Sequence, residues 1–158
     1  MSKSAPASPD TPIGDQGRIC IVASQYNATY TNALVSSATR TLEKLAPEIE
    51  ICLTRVPGAF EIPLIVERHA RCSPKPLAVI ALGVIIRGAT AHADLIAESI
   101  TRSLQQISIC HLLPVIHAVL LVDDTEQAKT RSLGDELNRG REAARAAVSM
   151  IGIMRDLA

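Results

Sequence analysis

The chain has 158 residues, which is enough for one domain with a hydrophobic core of its own. Sixteen basic residues balance sixteen acidic ones, so the basic surface that nucleic acid requires is not expected. Apolar residues make up 47% of the chain and aromatic residues 2%, which predicts a core of Ala, Val, Ile and Leu and suggests that an oligomer covers some apolar surface.

The first part of the chain differs in composition from the rest. Residues 1–17 are polar and proline-rich, and we expect them to form a flexible tail before a single domain over residues 18–158. The tail has no apolar stretch of the kind that a secretion signal needs, and no run in the chain is long enough to cross a membrane. The four cysteines include no C-x-x-C pair, which favours a reducing compartment, so the cytoplasm is the expected location.

Short apolar runs alternate with longer stretches of helical spacing. Strands are predicted at residues 18–24, 48–56, 77–82 and 114–122. Helices are predicted at residues 29–45, 62–72, 91–108, 125–133 and 139–156. Asp123 and Glu126 have the spacing of a capping box at the start of the fourth helix. The alternation predicts a three-layer α/β/α domain with a four-stranded, mainly parallel sheet, in which ligands bind after the carboxyl ends of the strands.

The segment after the third predicted strand resembles a phosphate-binding loop. Residues 83–90 read GVIIRGAT, which nearly matches G-x-x-x-x-G-K-[ST] but has Ala89 in place of the lysine. Gly83 and Gly88 are expected to adopt backbone conformations closed to other residues, and Thr90 opens a helix whose free N–H groups favour a phosphate. The missing lysine argues for a ligand smaller than a nucleoside triphosphate. An ordinary strand-to-helix turn with Thr90 as the N-cap is the alternative interpretation.

Four further positions hold candidate site residues. His92 lies in the first turn of the same helix, where a histidine can transfer protons beside a bound phosphate. Tyr26 ends the first strand and can stack on a planar ligand, while Glu61 in VPGAFEIP can accept hydrogen bonds. Arg131 in the fourth helix suits a phosphate. Each has a plainer alternative: a surface histidine, edge packing, a glutamate favoured at a helix start, and a solvated arginine.

In combination, the segments QYN, VPGAFEIP, LGVIIRGATAHAD and TEQA, followed by Arg131, resemble the 6,7-dimethyl-8-ribityllumazine synthases. The resemblance extends from residue 18 to the C-terminus. It implies a flavodoxin-like sheet and a transferase of riboflavin biosynthesis, which condenses 5-amino-6-(D-ribitylamino)uracil with 3,4-dihydroxy-2-butanone 4-phosphate to give 6,7-dimethyl-8-ribityllumazine, phosphate and water. It further implies no cofactor, no metal, and a homopentamer or a multiple of pentamers with active sites at subunit interfaces.

The resemblance also implies roles for individual residues. His92 is implied as the proton donor. The residues implied to hold the pyrimidine and ribityl chain are Tyr26, Ala59, Phe60, Glu61, Val84, Ile85, Ile86 and His117. Ala89, Thr90 and Arg131 are implied to hold the phosphate, with the arginine supplied by the neighbouring subunit, which would explain the missing lysine. Several positions depart from the family. His117 stands where many members have Phe, and Ala93 follows His92 where an aromatic residue is common. Arg139 stands where Lys is common, in a segment before the last helix that has fewer glycines than usual.

Two other functions fit parts of the sequence. A non-catalytic carrier of lumazine or flavin would have a pocket altered at His117 and Ala93, but it would not need both a phosphate anchor and a proton donor. A module that binds nucleoside triphosphates would use GVIIRGAT, but the loop lacks its lysine. The sequence has no G-x-S-x-G, no H-E-x-x-H and no spaced Cys/His set, so it gives no support to the hydrolase and metal-site patterns.

Overall fold

A computed structural model describes residues 16–158, in which all nine predicted elements occur in the predicted order. The remainder of the predicted tail, residues 1–15, lies outside the described residues. The elements are β1 (Gly17–Ser24), α1 (Ala28–Leu45), β2 (Ile49–Val56), α2 (Ile62–Ala70), β3 (Ala78–Ile86), α3 (His92–His111), β4 (Val115–Val122), α4 (Thr125–Ser132) and α5 (Arg139–Asp156).

The four strands form one sheet with the order β2-β1-β3-β4, and every neighbouring pair is parallel. Side chains of β1 alternate between its two faces: Ile19 and Ile21 pack in a cluster with α1 and α5, while Cys20 and Val22 pack in a cluster with α2 and α3. Helices therefore cover both faces of the sheet, which confirms the predicted three-layer, flavodoxin-like architecture and explains why β1 and β3 are almost continuously apolar.

The connections place a crevice between β1 and β3. The chain passes from β1 outward to β2 and then returns to β3 on the other side of β1. Ligands bind at such a reversal in open parallel sheets, because the loops that leave the two strands diverge there. The segments that follow Ser24 and Ile86 meet at this point.

The core is aliphatic, as the composition predicted. Its largest fully buried side chains are all Ile, Leu or Val. Tyr26 and Phe60 are 72% and 59% exposed, and Tyr30 is only partly buried against the core. The four cysteines are free thiols. Among residues 16–158, no helix has the length and apolar character needed to cross a membrane.

The third strand is longer than predicted, because Gly83 lies inside it and does not end it. Pairing with β4 continues from Gly83 opposite Val119 to Ile86 opposite Val122. A Cβ at Gly83 would lie 3.1 Å from Ser24 Oγ and 3.3 Å from Val119 Cγ1, so a close approach of neighbours explains this glycine. Neither Gly83 nor Gly88 has a positive φ, and the expectation of special backbone conformations there was wrong.

The residues that cap two helices also differ from the sequence-based interpretations, although α4 begins at Thr125 as predicted. The N-cap of α4 is Asp124, whose Oδ1 accepts a hydrogen bond from the Gln127 N–H at 2.8 Å, because a capping residue must directly precede the first helical residue. The predicted capping box at Asp123 was therefore wrong by one residue. α3 begins at His92, so Thr90 is not its N-cap.

Candidate active site

A cavity of about 500 Å³ lies at the carboxyl ends of β1, β2 and β3, and we call it the first cavity. Three loops and the start of α3 contribute to its walls. The lining residues are Tyr26, Asn27, Gly58, Ala59, Phe60, Glu61, Val84, Ile85, Ile86, Gly88, Thr90, His92, Ala93 and Ile96. Most of the residues predicted for the site therefore lie in one cavity. The exceptions are Ala89, which is exposed beside it, and His117 and Arg131, which lie elsewhere.

Asn27 connects the first loop to β3. Its backbone is left-handed, with a φ of 55°, and its Nδ2 donates a hydrogen bond to the carbonyl oxygen of Val84 at 2.8 Å. The neighbouring Tyr26 N–H donates to the Pro57 carbonyl oxygen at 3.3 Å, so the loop is also tied to the segment after β2. The sequence patterns indicated no role for Asn27. The feature that could have pointed to Asn27 is its position between a predicted strand and a predicted helix, because asparagine tolerates the left-handed conformation that a tight connection needs.

Glu61 shapes the second loop. Its Oε2 accepts a hydrogen bond from the Gly58 N–H at 2.8 Å, and a Cβ at Gly58 would lie 2.8 Å from the same oxygen. The glycine therefore lets the carboxylate reach the backbone and close the turn. The plainer interpretation of Glu61, a turn followed by a helix-start glutamate, describes this bond correctly, and the residue also lines the first cavity.

One wall of the first cavity is apolar. The last three residues of β3, Val84 to Ile86, form it, and the exposed side chains of Tyr26 and Phe60 also line the cavity. Exposed aromatic side chains at a concave apolar surface are typical of a site for a planar ligand. The wall is part of a paired strand, so its position is fixed by the β4 ladder.

The loop between β3 and α3, residues 88–91, forms the polar end of the first cavity, and we call it the anion loop. Gly88, Thr90 and His92 line the cavity, and every residue from 87 to 92 is exposed. The first N–H groups of α3 have no partner within the helix, and the helix dipole adds partial positive charge at this end. The arrangement can hold an anion with the His92 ring beside it.

A second cavity, of about 960 Å³, lies between α3, β4 and α5. It contains two of the three predicted site residues that are missing from the first cavity, His117 and Arg131. The start of α3 separates the two cavities, since Ala93 and Ile96 line the first and Asp94 and Ala97 line the second. One chain therefore does not bring His117 or Arg131 together with Thr90 and His92.

Hydrogen bonds fix the protonation state of His117. Its Nδ1 accepts from the Val119 N–H at 3.2 Å, and its Nε2 lies 2.8 Å from Oγ1 of Thr101. The Thr101 hydroxyl donates its one proton to the Ala97 carbonyl oxygen at 2.8 Å, so Nε2 must be the donor to Thr101. The ring is therefore neutral with its proton on Nε2. His117 is exposed in the single chain, and the partial desolvation of its ring by the surrounding residues lowers its pKa below the ordinary value of 6.5.

Positive charge is divided unequally between the cavities. No lysine or arginine is among the residues that line the first cavity, whereas Arg131, Arg139 and Arg145 all line the second. Arg139 is ion-paired with Glu142, and Nη1 of Arg131 lies 3.5 Å from the carbonyl oxygen of Gln127. Within residues 16–158, no group of three His, Cys, Asp or Glu side chains could hold a metal ion.

Comparison with known proteins identifies the family. The family model for 6,7-dimethyl-8-ribityllumazine synthase matches residues 16–155. A 6,7-dimethyl-8-ribityllumazine synthase of Thermococcus kodakarensis is 38% identical to the chain over 144 residues, an alignment that covers 91% of this chain and 90% of the relative. With the all-parallel sheet and the first cavity at its crevice, these matches show that the chain belongs to the 6,7-dimethyl-8-ribityllumazine synthase family.

Proposed function

We propose that the chain condenses 5-amino-6-(D-ribitylamino)uracil with 3,4-dihydroxy-2-butanone 4-phosphate in the first cavity, with release of phosphate and water. Family membership makes the chain a transferase that carries out this step of riboflavin biosynthesis. The lining of the cavity supports the location, because it combines an apolar wall from β3 with a polar loop at a helix start. The reaction changes no overall oxidation state, so proton transfers are sufficient for it and we propose that no cofactor takes part.

The residues of the first cavity divide by chemistry. The pyrimidine lies against Val84, Ile85 and Ile86, with Tyr26 stacked at its edge. The remaining polar and apolar contacts to the pyrimidine and ribityl chain come from Ala59, Phe60 and Glu61.

The polar end of the cavity holds the butanone phosphate. Ala89 and Thr90 bind the phosphate through main-chain N–H groups and the Thr90 hydroxyl. His92 donates and accepts protons during imine formation and loss of phosphate. Holding both substrates in one cavity supplies much of the rate, since it replaces a bimolecular encounter by an oriented one.

The distribution of the predicted site residues between two cavities supports the second part of the proposal, that the active sites are shared between copies of the chain. The first cavity has no lysine or arginine in its lining, yet a phosphate dianion needs a cation, and Arg131 lies in the second cavity of the same chain. A second copy of the chain that packs its second cavity against the first cavity of its neighbour would bring Arg131 to the phosphate and His117 to the ring pocket. The working protein is therefore a homo-oligomer with shared sites, and a pentamer or a multiple of it is the arrangement we propose.

Mixing two defective variants tests whether sites are shared. His92→Ala damages the first cavity and Arg131→Ala damages the second, so each variant alone should form little lumazine at a butanone phosphate concentration well below KM. When the two are unfolded together and reassembled, about a quarter of the sites in a randomly mixed ring should combine two intact halves. Lumazine fluorescence should then rise to roughly a quarter of the wild-type rate.

Two outcomes would contradict parts of the proposal. Activity of the mixture that equals the mean of the two parents would show that each site belongs to one chain. Wild-type protein that binds flavin or lumazine but forms no product from the two substrates would indicate a carrier. Reassembled wild-type protein serves as the control for recovery after unfolding.

A further inference from the structure

Arg87 is the residue between the last position of β3 and the anion loop, and sequence analysis gave it no role. Its Nη2 and Nε lie 2.7 Å and 3.1 Å from Oδ1 of Asp94, in the first turn of α3. Its Nη1 also bonds Oδ1 of Asp123, which follows β4. The bond from Arg87 lowers the pKa of Asp94 below its ordinary value, so this carboxylate is charged at neutral pH.

These contacts tie the two ends of the anion loop to each other. The Arg87 main-chain N–H donates to the Val122 carbonyl oxygen at 2.9 Å, which extends the ladder between β3 and β4 by one residue. The side chain of the same residue then reaches across to Asp94, beyond the other end of the loop. Packing contributes little to holding the anion loop in place, because residues 87–92 are exposed and a Cβ at Gly88 would meet nothing within 4 Å.

The ties continue from the loop to α4. Asp123 Oδ2 accepts a hydrogen bond from Gln127 Nε2 at 2.9 Å, and Oε1 of Gln127 lies 3.5 Å from Nη1 of Arg131. Contacts through Asp123 and Gln127 therefore connect Arg87, beside the anion loop, to Arg131 on α4. A substitution of Arg87 can therefore alter the positions of both the anion loop and α4.

The charge of Arg87 is already matched by two carboxylates. Arginine suits this position because its planar group presents donors in a fixed fork, whereas the ammonium of lysine is a single point of charge on a flexible stem. Arg87, Asp94 and Asp123 together carry a net charge of −1, so the cluster does not provide the cation that a phosphate requires.

We propose that Arg87 is a positioning residue that holds the anion loop in its phosphate-binding shape through Asp94 and Asp123, without touching the phosphate. The proposal rests on the proposed function, which assigns the phosphate to this loop.

The variant Arg87→Lys tests whether the geometry of the guanidinium or only its charge is needed. Lysine keeps the positive charge but lacks the planar set of donors that bonds Asp94 and Asp123 at the same time. We expect the KM for the butanone phosphate to rise roughly three- to tenfold, the effect of losing two surface ion pairs of ordinary strength, with the KM for the pyrimidine unchanged. The inhibition constant of inorganic phosphate should rise by the same factor. A KM and an inhibition constant equal to those of the wild type would overturn the proposal.

The variant Asp123→Ala gives a test in which the two explanations have opposite signs. Removing a negative charge near a phosphate should tighten phosphate binding if only the local charge matters. If Arg87 holds the loop, phosphate binding should weaken instead, because one of its two anchors is gone. Tighter binding would contradict the proposal even if Arg87→Lys were impaired.

Arg71→Ala is the matched control. Arg71, which directly follows α2, forms a surface ion pair with Glu67 at 2.6 Å and lines neither cavity, so the loss of this arginine should leave both KM values unchanged. Thermal unfolding of all variants shows whether any effect comes from the fold. Lumazine formation by the wild type tests the proposed function separately, and it can succeed while the role of Arg87 fails.

Discussion

His92 and His117 differ in what their rings can offer a substrate. His92 is exposed at the polar end of the first cavity. Both nitrogens of His117 are engaged, one by the Val119 N–H and one by Thr101, so only its ring face and C–H edge can meet a ligand. His117 therefore offers a ligand only a flat surface, and we propose that proton transfer is the task of His92.

The first prediction concerns His92. Replacement by alanine should lower kcat by about 10²–10⁴-fold, the usual contribution of a positioned acid or base. The midpoint of thermal unfolding should stay the same, because the side chain is exposed. Initial rates of lumazine formation and a thermal melt measure both quantities. Full activity of the variant would remove His92 from the mechanism.

The second prediction concerns His117 and pH. Since its pKa is lowered in the folded state, the unfolded chain binds more protons below about pH 6.5, and the free energy of unfolding should fall as the pH drops through that value. Above it, this contribution is fully present. Urea unfolding at pH 7.5 and 5.5 should show a smaller loss of stability in His117→Phe than in the wild type. Equal losses would mean that His117 is not held neutral. Burial also lowers the pKa of His69, but this residue is present in both proteins, so its contribution to the pH dependence cancels in the comparison.

At the scale of the elements, α1 and α5 lie in close contact at Gly140. A Cβ there would lie 2.2 Å from the Leu34 carbonyl oxygen, so the two helices can touch only because residue 140 has no side chain. The clashing atom belongs to backbone and cannot rotate away. α5 also contains Gly152, where a Cβ would meet nothing within 4 Å, which provides a control in the same helix.

The third prediction compares these two glycines. Gly140→Ala should lower the free energy of unfolding by about 1–3 kcal/mol, the usual cost of overpacking. Gly152→Ala should raise it by up to about 1 kcal/mol, because alanine favours a helix more than glycine does. Urea denaturation of both variants gives the difference. Equal effects would contradict the tight crossing of α1 and α5.

The elements were predictable where the pattern is local. The apolar run at residues 18–24 and the helical spacing of residues 139–156 depend only on neighbours in the sequence. The end of β3 was not predictable, because Gly83 is explained by Ser24 and Val119, which are distant in the chain. The adjacent Asp123 and Asp124 carry the same chemistry, so the choice of cap depends on the first helical residue, Thr125, which the sequence does not distinguish from its neighbours by side-chain type.

At the scale of the whole molecule, the family resemblance predicted which residues form the site. The sequence patterns did not predict that these residues would be divided between two cavities. Residues after β1, β2 and β3 meet because parallel strands end at one edge of the sheet. The separation of His117 and Arg131 into a second cavity depends on how α3 crosses β4, which periodicity does not contain. The Arg87 cluster was missed for a similar reason: its bond to Asp123 joins residues 36 positions apart.

The fourth prediction concerns assembly. If sites are shared between copies, activity per chain should fall on dilution over the same concentration range in which the oligomer dissociates. Light scattering and the rate of lumazine formation, measured on the same dilution series, should fall together. A dissociated 16.9 kDa chain that keeps full activity would show that one copy is sufficient.

The position of the aromatic residues decides how the protein can be observed in solution. The chain has no tryptophan and two tyrosines, of which Tyr26 borders the first cavity and Tyr30 lies in the first turn of α1. Its ultraviolet emission therefore comes from one exposed ring at the first cavity and one ring packed against the edge of the core. A light-absorbing ring bound against Tyr26 should quench part of that emission, while unfolding should change the Tyr30 part and the circular dichroism of the helices.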